Sequence, residues 1–426
     1  MSTTSMILLS LSLALLAGLL LSRLVKKINL PAVTAYLIAG ILVGPFVLGA
    51  LNIPGLGITS SQLAGFSIIA DVALGFIAFS MGNEFRISQL KEIGKRATII
   101  GIFQAIFTTI IVDGVLIGLH FLMPDKLSLS AAIVLGAVAT ATAPAATLMV
   151  VKQYKAKGPV TDMLLPVVAI DDAVGLVAFA VSFGIAKSIS LGNIDLLSIV
   201  LEPVLEIVLS LLLGLVMGYL FSICEKYFHS RSKRMAVSVT FVLMTVGLSS
   251  LSFTIGRVHI AFSSLLACMM LGTVFCNICD FSLELMRRAD RWMTPILILF
   301  FVISGAELEL SVFKDGAVVI VGLVYILFRS IGKYLGAGIS ARATKADKNI
   351  IKYLGITLLP QAGVALGMAL KATELGVDGS IVRNITLFAV LIYEIIGPYL
   401  TKVALTKAGD IDPEGKVSSR GKPVHE

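Results

Sequence analysis

Residues Val167–Phe179 read VVAIDDAVGLVAF, which places two adjacent aspartates, Asp171 and Asp172, in an otherwise apolar run. The nearest basic residues are Lys157 and Lys187, and Asp172 stands fifteen positions from each; the only other charge between them is Asp162. A run of that length spans a bilayer at about 1.5 Å per residue. The pair therefore falls near the middle of hydrocarbon, where an ionised carboxylate costs about 2.5–3.5 kcal/mol on the mildest scales. An expense of that size points to function.

The rest of the chain agrees with a membrane setting. Its 426 residues are 57% hydrophobic and only 14% charged, with a mean hydropathy of +0.98. That composition leaves little room for a soluble domain. The net charge of +8 does not indicate a nucleic-acid partner, because the basic residues sit in the short breaks between apolar segments. Cys276-Asn277-Ile278-Cys279 has the spacing of a metal ligand pair but lacks a second pair or a nearby histidine, so the four cysteines read as small hydrophobes. At the N-terminus, Arg23, Lys26 and Lys27 follow the apolar run Met6–Leu21 instead of preceding it, which predicts a retained transmembrane helix and not a cleaved signal.

Apolar segments recur at 5–22, 31–51, 62–83, 97–123, 128–151, 159–186, 197–222, 235–255, 259–279, 293–310, 316–340, 353–370 and 384–401, which predicts about thirteen transmembrane helices in an all-α polytopic membrane protein. The connecting loops sort by charge. Those on one side, with the tail from Lys402, hold 26 Lys and Arg, whereas the opposite side holds six: Lys126, Lys187, Arg257, Lys314, Lys371 and Arg383. The positive-inside rule then sets the N-terminus outside and the C-terminus in the cytoplasm, in the plasma (inner) membrane. The polar stretch 402–426 is a short cytoplasmic tail following a transmembrane domain over 1–401.

Two segments share an unusual feature. ATATAPAATL (Ala139–Leu148) lies in the fifth span and LLPQAGVALG (Leu358–Gly367) in the twelfth, so Pro144 and Pro360 each interrupt a helix among threonines or beside Gln361 and Gly363. Proline frees carbonyls, which membrane interiors tolerate only against protein or a wet cavity. The two spans are seven apart and so cross the membrane in opposite directions. Each is the fourth member of a five-helix unit, spans 2–6 and 9–13. Matched broken helices in two inverted five-helix repeats point to a transport site at their crossing.

The remaining intramembrane charges converge on that depth. Arg329 lies fourteen residues from Asp315 and thirteen from Arg342, level with the aspartate pair, and Lys333 follows one turn later on the same face. Either base can face one aspartate while the other faces the broken helices, because adjacent residues point about 100° apart. We assign Asp171 to the base and Asp172 to the ion. Asp71, Asp113 and Glu394 also lie deep within spans and are possible ion-path residues. Glu202, Glu206, Glu307 and Glu309 fall nearer water, and His120 and His259 fall at outer helix ends.

TATAPAAT (Thr140–Thr147), AIDDAVG (Ala169–Gly175), FRSIGKYLG (Phe328–Gly336) and LLPQAGVALG, in this order, resemble the monovalent cation:proton antiporter family, the thirteen-helix sodium/proton exchangers, and LGFIAFSMGNEF (Leu74–Phe85) resembles the third helix of its proton-antiporter-2 branch. The resemblance covers nearly all of the chain except the tail. It implies a core of about 97–186 and 316–401 with crossed discontinuous helices, a dimerising scaffold of about 5–83 and 235–310, and a linker helix at about 197–222. It also implies a homodimer, a transporter and not an enzyme, and no cofactor or metal beyond the transported ion. Asp172 matches the family's shared cation and proton carrier, and Thr142 matches the threonine of the broken helix, with Thr140 beside it. Many members place an aspartate before the helix-breaking proline, where this chain has Ala143. Coordination then falls to Asp172, threonine hydroxyls and freed carbonyls.

Competition at one carboxylate would couple the two fluxes. Burial favours a protonated carboxyl and a nearby base opposes it, so Asp172 can hold a proton or a hard monovalent cation in turn. Na+ is the first expectation and Li+ a possible substrate, with K+/H+ exchange the alternative. A sodium-coupled organic-anion symporter or a passive cation channel on the same architecture is a more distant one. The base of the eleventh span, Arg329 or Lys333, decides stoichiometry: lysine permits electrogenic exchange, whereas arginine keeps its proton.

Overall fold

The computed structural model describes residues 3–27, 32–51, 53, 57–82, 85–143, 147, 150–151, 154–190, 196–255, 258–308 and 316–411. The chain is helical almost throughout. The helices are α1 (Thr3–Lys27), α2 (Ala32–Val43), α3 (Ser60–Gly65), α4 (Ser67–Gly82), α5 (Ile87–Leu122), α6 (Leu129–Val138), α7 (Pro159–Ser190), α8 (Leu196–Lys226), α9 (Arg231–Ser249), α10 (Ser264–Ile278), α11 (Ser282–Trp292), α12 (Thr294–Ala306), α13 (Gly316–Ala343), α14 (Lys348–Thr357), α15 (Gly363–Ala372) and α16 (Val377–Ala408). Among the described residues, α1, α5, α7, α8, α13 and α16 each contain a stretch long and apolar enough to cross a bilayer unaided. Leu16, Ile110, Leu212 and Leu327 stay exposed on such helices, as lipid-facing side chains do. The protein is a multi-pass membrane protein.

Local chemistry sets several boundaries. Gly94 has φ +74°, which ends the helical path at the start of α5 and lets the membrane-crossing part begin there. Ser128 Oγ accepts from Ala131 N at 3.0 Å and starts α6, and Asp347 Oδ1 accepts from Asn349 N at 2.7 Å and starts α14. The start of α7 is capped from a distance: Asp410 Oδ2 accepts from Thr161 N (2.7 Å) and Thr161 Oγ1 (2.9 Å), and Asp410 O accepts from Lys157 N (2.9 Å).

Five expected spans and one loop differ in detail. The second ends at Val43, and the third is divided at Phe66 into α3 and α4. Residues Phe253–Ile255 and Val258–Ile260, expected to be helix ends, pair as a short antiparallel hairpin, β1 and β2. Their β-branched and aromatic side chains suit a strand. The segment after Cys279, expected to be a charged loop, is the helix α11, which buries Leu285, Met286 and Ala289 and turns arginines outward. The last span also runs on to Ala408, so the polar tail starts later than Lys402; Asp410 and Ile411 are still buried.

Two helix pairs pack backbone to backbone through glycines on both partners. A Cβ on Gly40 of α2 would strike the Val302 carbonyl of α12, and one on Gly305 of α12 would strike the Leu37 carbonyl of α2. The same reciprocity joins Gly82 of α4 with Met269 of α10, and Gly272 of α10 with Phe79 of α4. In lipid, where apolar burial gives helices little reason to associate, such close approach supplies the packing energy.

Candidate ion site at the helix crossing

Both helices predicted to break do so. The regular helix α6 ends at Val138, tightens through Thr140 N to Ala137 O and Ala141 N to Val138 O, and is open by Ala143, and helical residues recur at Thr147, Val150 and Val151; Pro144 itself lies outside the described residues. The second break runs from Leu358 to Ala362 between α14 and α15. The two breaks touch, since Ala143 N donates to Pro360 O at 2.8 Å. The ring of buried Pro360 packs on α16 where Gly397 leaves room: a Cβ there would come within 2.9 Å of it.

The carbonyls released by the breaks are met by side chains of α13. Arg329 Nε donates to Ala139 O (3.0 Å), Nη2 to Ala141 O (2.6 Å) and Nη1 to Leu359 O (2.7 Å), so one guanidinium joins both breaks. Its planar set of divergent donors suits this task, which a compact ammonium cannot reproduce. The guanidinium also lies 4.5 Å from the Tyr393 ring centroid, and Tyr393 OH donates to Ile326 O at 2.6 Å. Gln361 adds a further link, with Nε2 donating to Val138 O and to Tyr325 OH, both at 3.0 Å.

Lys333, one turn from Arg329, is the base that meets the acidic pair. Its Nζ lies 2.6 Å from Asp171 Oδ2, donates to Thr142 Oγ1 at 2.9 Å, and also donates to the Thr140 carbonyl. Thr142 Oγ1 in turn donates to Asp171 Oδ2 at 2.5 Å. Asp172, buried beside it, accepts from Thr142 N at 3.3 Å through Oδ1. Backbone and side chain of one threonine thus divide between two neighbouring carboxylates. The ion pair foreseen as possible for Arg329 is not what its donors do, because carbonyls of the crossing take them. The Thr140 hydroxyl donates to Ala137 O at 2.7 Å, within its own helix end. Gly363 opens α15 just beyond the crossing.

Matched against known families, residues 11–407 fit the model of the sodium/hydrogen exchanger, transmembrane. The chain belongs to the sodium/hydrogen exchanger family. Relatives include a Na(+)/H(+) antiporter of Enterococcus hirae, 25% identical over 407 residues, covering 92% of this chain and 97% of the relative. Another is the Na(+)/H(+) antiporter NhaS4 of Synechocystis sp., 21% identical over 418 residues, covering 95% and 98%. The fold is that of the sodium proton antiporter MjNhaP1 from Methanocaldococcus jannaschii, whose structure at pH 8 matches with a TM-score of 0.74 at 19% identity, covering 95% of this chain and 99% of that one.

In this exchanger-family chain, the other intramembrane acids stand apart from the paired aspartates. Asp71 is exposed on α4, within electrostatic reach of the Lys371–Glu374 ion pair (2.5 Å) at the far end of α15. Asp113 on α5 presses against α6 at Gly136, just before the first break. Glu394 is buried on α16, and neither of its carboxyl oxygens has a hydrogen-bond partner among the described residues. Glu307 faces Arg383 at 3.9 Å, and His120 Nδ1 lies 2.7 Å from Leu127 O. Sequence reasoning missed Tyr325 and Tyr393. A signal for the first was present: Tyr325, Arg329 and Lys333 recur every fourth residue and form one buried polar face of α13.

Proposed function

We propose that the chain exchanges a monovalent cation, Na+ before Li+ or K+, for protons by alternating access, with Asp172 as the shared carrier. The observation that carries this reading is the meeting of two buried carboxylates, two backbone breaks and one lysine at a single point. Asp171 holds Lys333, and Asp172 on the next position of α7 supplies the second carboxylate for an incoming ion. Threonine oxygen and freed carbonyls are the hard donors that a dehydrated monovalent cation needs. A carboxylate neutralised by either ligand can move through an apolar barrier at far lower cost than a bare one, which suppresses leak.

The lysine sets the stoichiometry in this reading. Unlike arginine, Lys333 can give up its proton, so a cation at Asp172 can expel a proton from the lysine as well as one from the acid. Exchange is then electrogenic, with more than one proton per cation. The moving part is the core of about 97–186 and 316–401, carried past the remaining helices in a homodimer, with basic loops and C-terminus in the cytoplasm.

The test is reconstitution in liposomes with an imposed pH gradient and a pH-sensitive dye, adding Na+, Li+ and K+ in turn. Wild type should collapse the gradient with Na+, and Asp172→Asn should not. Equal collapse in both removes Asp172 from the mechanism. A K+ response with no Na+ response makes the potassium exchanger the better reading.

A further inference from the structure

We infer that the crevice between α9 and α11 is a binding site for an anionic phospholipid of the leaflet on the basic-loop side. The crevice has a volume of about 660 Å³ and is bounded by Arg231 and Ser232 on the first turn of α9, Met235 and Val239 on the next two, and Arg288 and Trp292 of α11. Its polarity is graded along α9. The arginine end lies where the chain enters the helix, and the eight steps from Arg231 to Val239 carry the wall about 12 Å towards the apolar part of the helix. A phosphate between Arg231 and Arg288 with a chain along Met235, Val239 and Trp292 matches that gradient.

Three further observations specify a lipid. First, α11 lies bent by 46° from α12, packs Leu285, Met286 and Ala289 against the protein core and exposes Arg287 and Arg291, so its cationic side is turned outward at the end of an apolar helix. Second, Trp292 is the single tryptophan of the chain, lines the crevice and is 46% exposed, with its ring 5.7 Å from that of Phe76. Tryptophan favours headgroup depth. Third, residues 225–234 and 284–291 together hold seven Lys and Arg against three Asp and Glu. Arg234 turns inward, 3.7 Å from Glu225 and over the Phe281 ring, and so fixes the loop instead of facing the crevice. Glu284 engages Arg288 through one of its terminal nitrogens, which leaves other donors of that guanidinium for a phosphate. None of this depends on the exchange reading.

The experiment is a thermal melt of delipidated protein in dodecyl maltoside with phosphatidylglycerol, phosphatidylcholine or inorganic phosphate added. Phosphatidylglycerol alone should raise the Tm of wild type, and Arg231→Gln/Arg288→Gln should weaken its half-saturation by about tenfold. Should the double variant not be recovered folded, Arg231→Gln alone, on an exposed first turn, should give a smaller loss in the same direction, and native mass spectrometry should show less phosphatidylglycerol retained on it than on wild type. An undiminished phosphatidylglycerol shift in the variants overturns the site. So does a wild-type shift from phosphatidylcholine of equal size. A matching shift from inorganic phosphate overturns it too, leaving a site for free anions.

Discussion

The helix crossing and the glycine-packed pairs both bring backbones into contact, by opposite means. At α2–α12 and α4–α10 the approach is passive: removing four Cβ atoms lets carbonyls of one helix touch the other with no break in either helix at the contact. At the crossing, helix hydrogen bonds are given up, and Arg329, Lys333 and Gln361 replace them from the side. The first arrangement has nothing to titrate or displace. The second depends on charged donors beside two carboxylates, so the occupancy of those carboxylates acts on the parts that hold the breaks together. A fixed contact and a responsive one are thus built from the same need, to leave no backbone group bare in hydrocarbon.

The largest expected effect comes from removing the guanidinium. Arg329→Met strips three buried carbonyls of their donors at roughly 1–3 kcal/mol each, and the folded yield by size-exclusion chromatography should fall below detection. Arg329→Lys should be recovered in part with a lowered Tm, because one ammonium cannot span both breaks; a normal Tm for either would mean that the breaks do not need Arg329. Next is the ion pair. Lys333→Met leaves Asp171 buried without its cation, at roughly 3–5 kcal/mol, whereas Lys333→Met/Asp171→Asn removes both charges and should regain most of the lost Tm. A double variant no more stable than the single one would separate the two residues.

On the passive side the penalties are smaller. Gly272→Val on α10 should cost roughly 1–3 kcal/mol by forcing α4 away, read as a lower Tm with unchanged cation preference in liposomes. A shifted preference would connect that packing to the site. The least effect is expected from Asp410→Ala, which uncaps α7 twelve residues before the acidic pair at about 1 kcal/mol, and Asp410→Asn should restore part of it in the same melt.

What the sequence disclosed divides along chemical lines. Charges and a proline in apolar runs are conspicuous because hydrocarbon penalises them, so Asp171, Asp172, Arg329, Lys333 and Pro360 were all legible. The choice between Arg329 and Lys333 was not, since residues four apart share a face, and only the position of the freed carbonyls separates a base that staples backbone from one that meets a carboxylate. Tyr393 was hidden because an aromatic in an apolar helix reads as packing, and Tyr325 reads the same way unless its four-residue spacing from Arg329 and Lys333 is followed. The helix α11 was hidden for the reverse reason: its charges masked the spacing of Leu285, Met286 and Ala289.

The central claim is that one carboxylate site holds either a cation or protons. Isothermal titration of Na+ into purified protein, repeated in buffers of different ionisation enthalpy, counts the protons released per ion bound. Wild type should release more than one, with an apparent Kd that rises as pH falls, and Asp172→Asn should neither bind Na+ nor release protons. Sodium binding with the same Kd at every pH, and no proton release, would contradict a shared site.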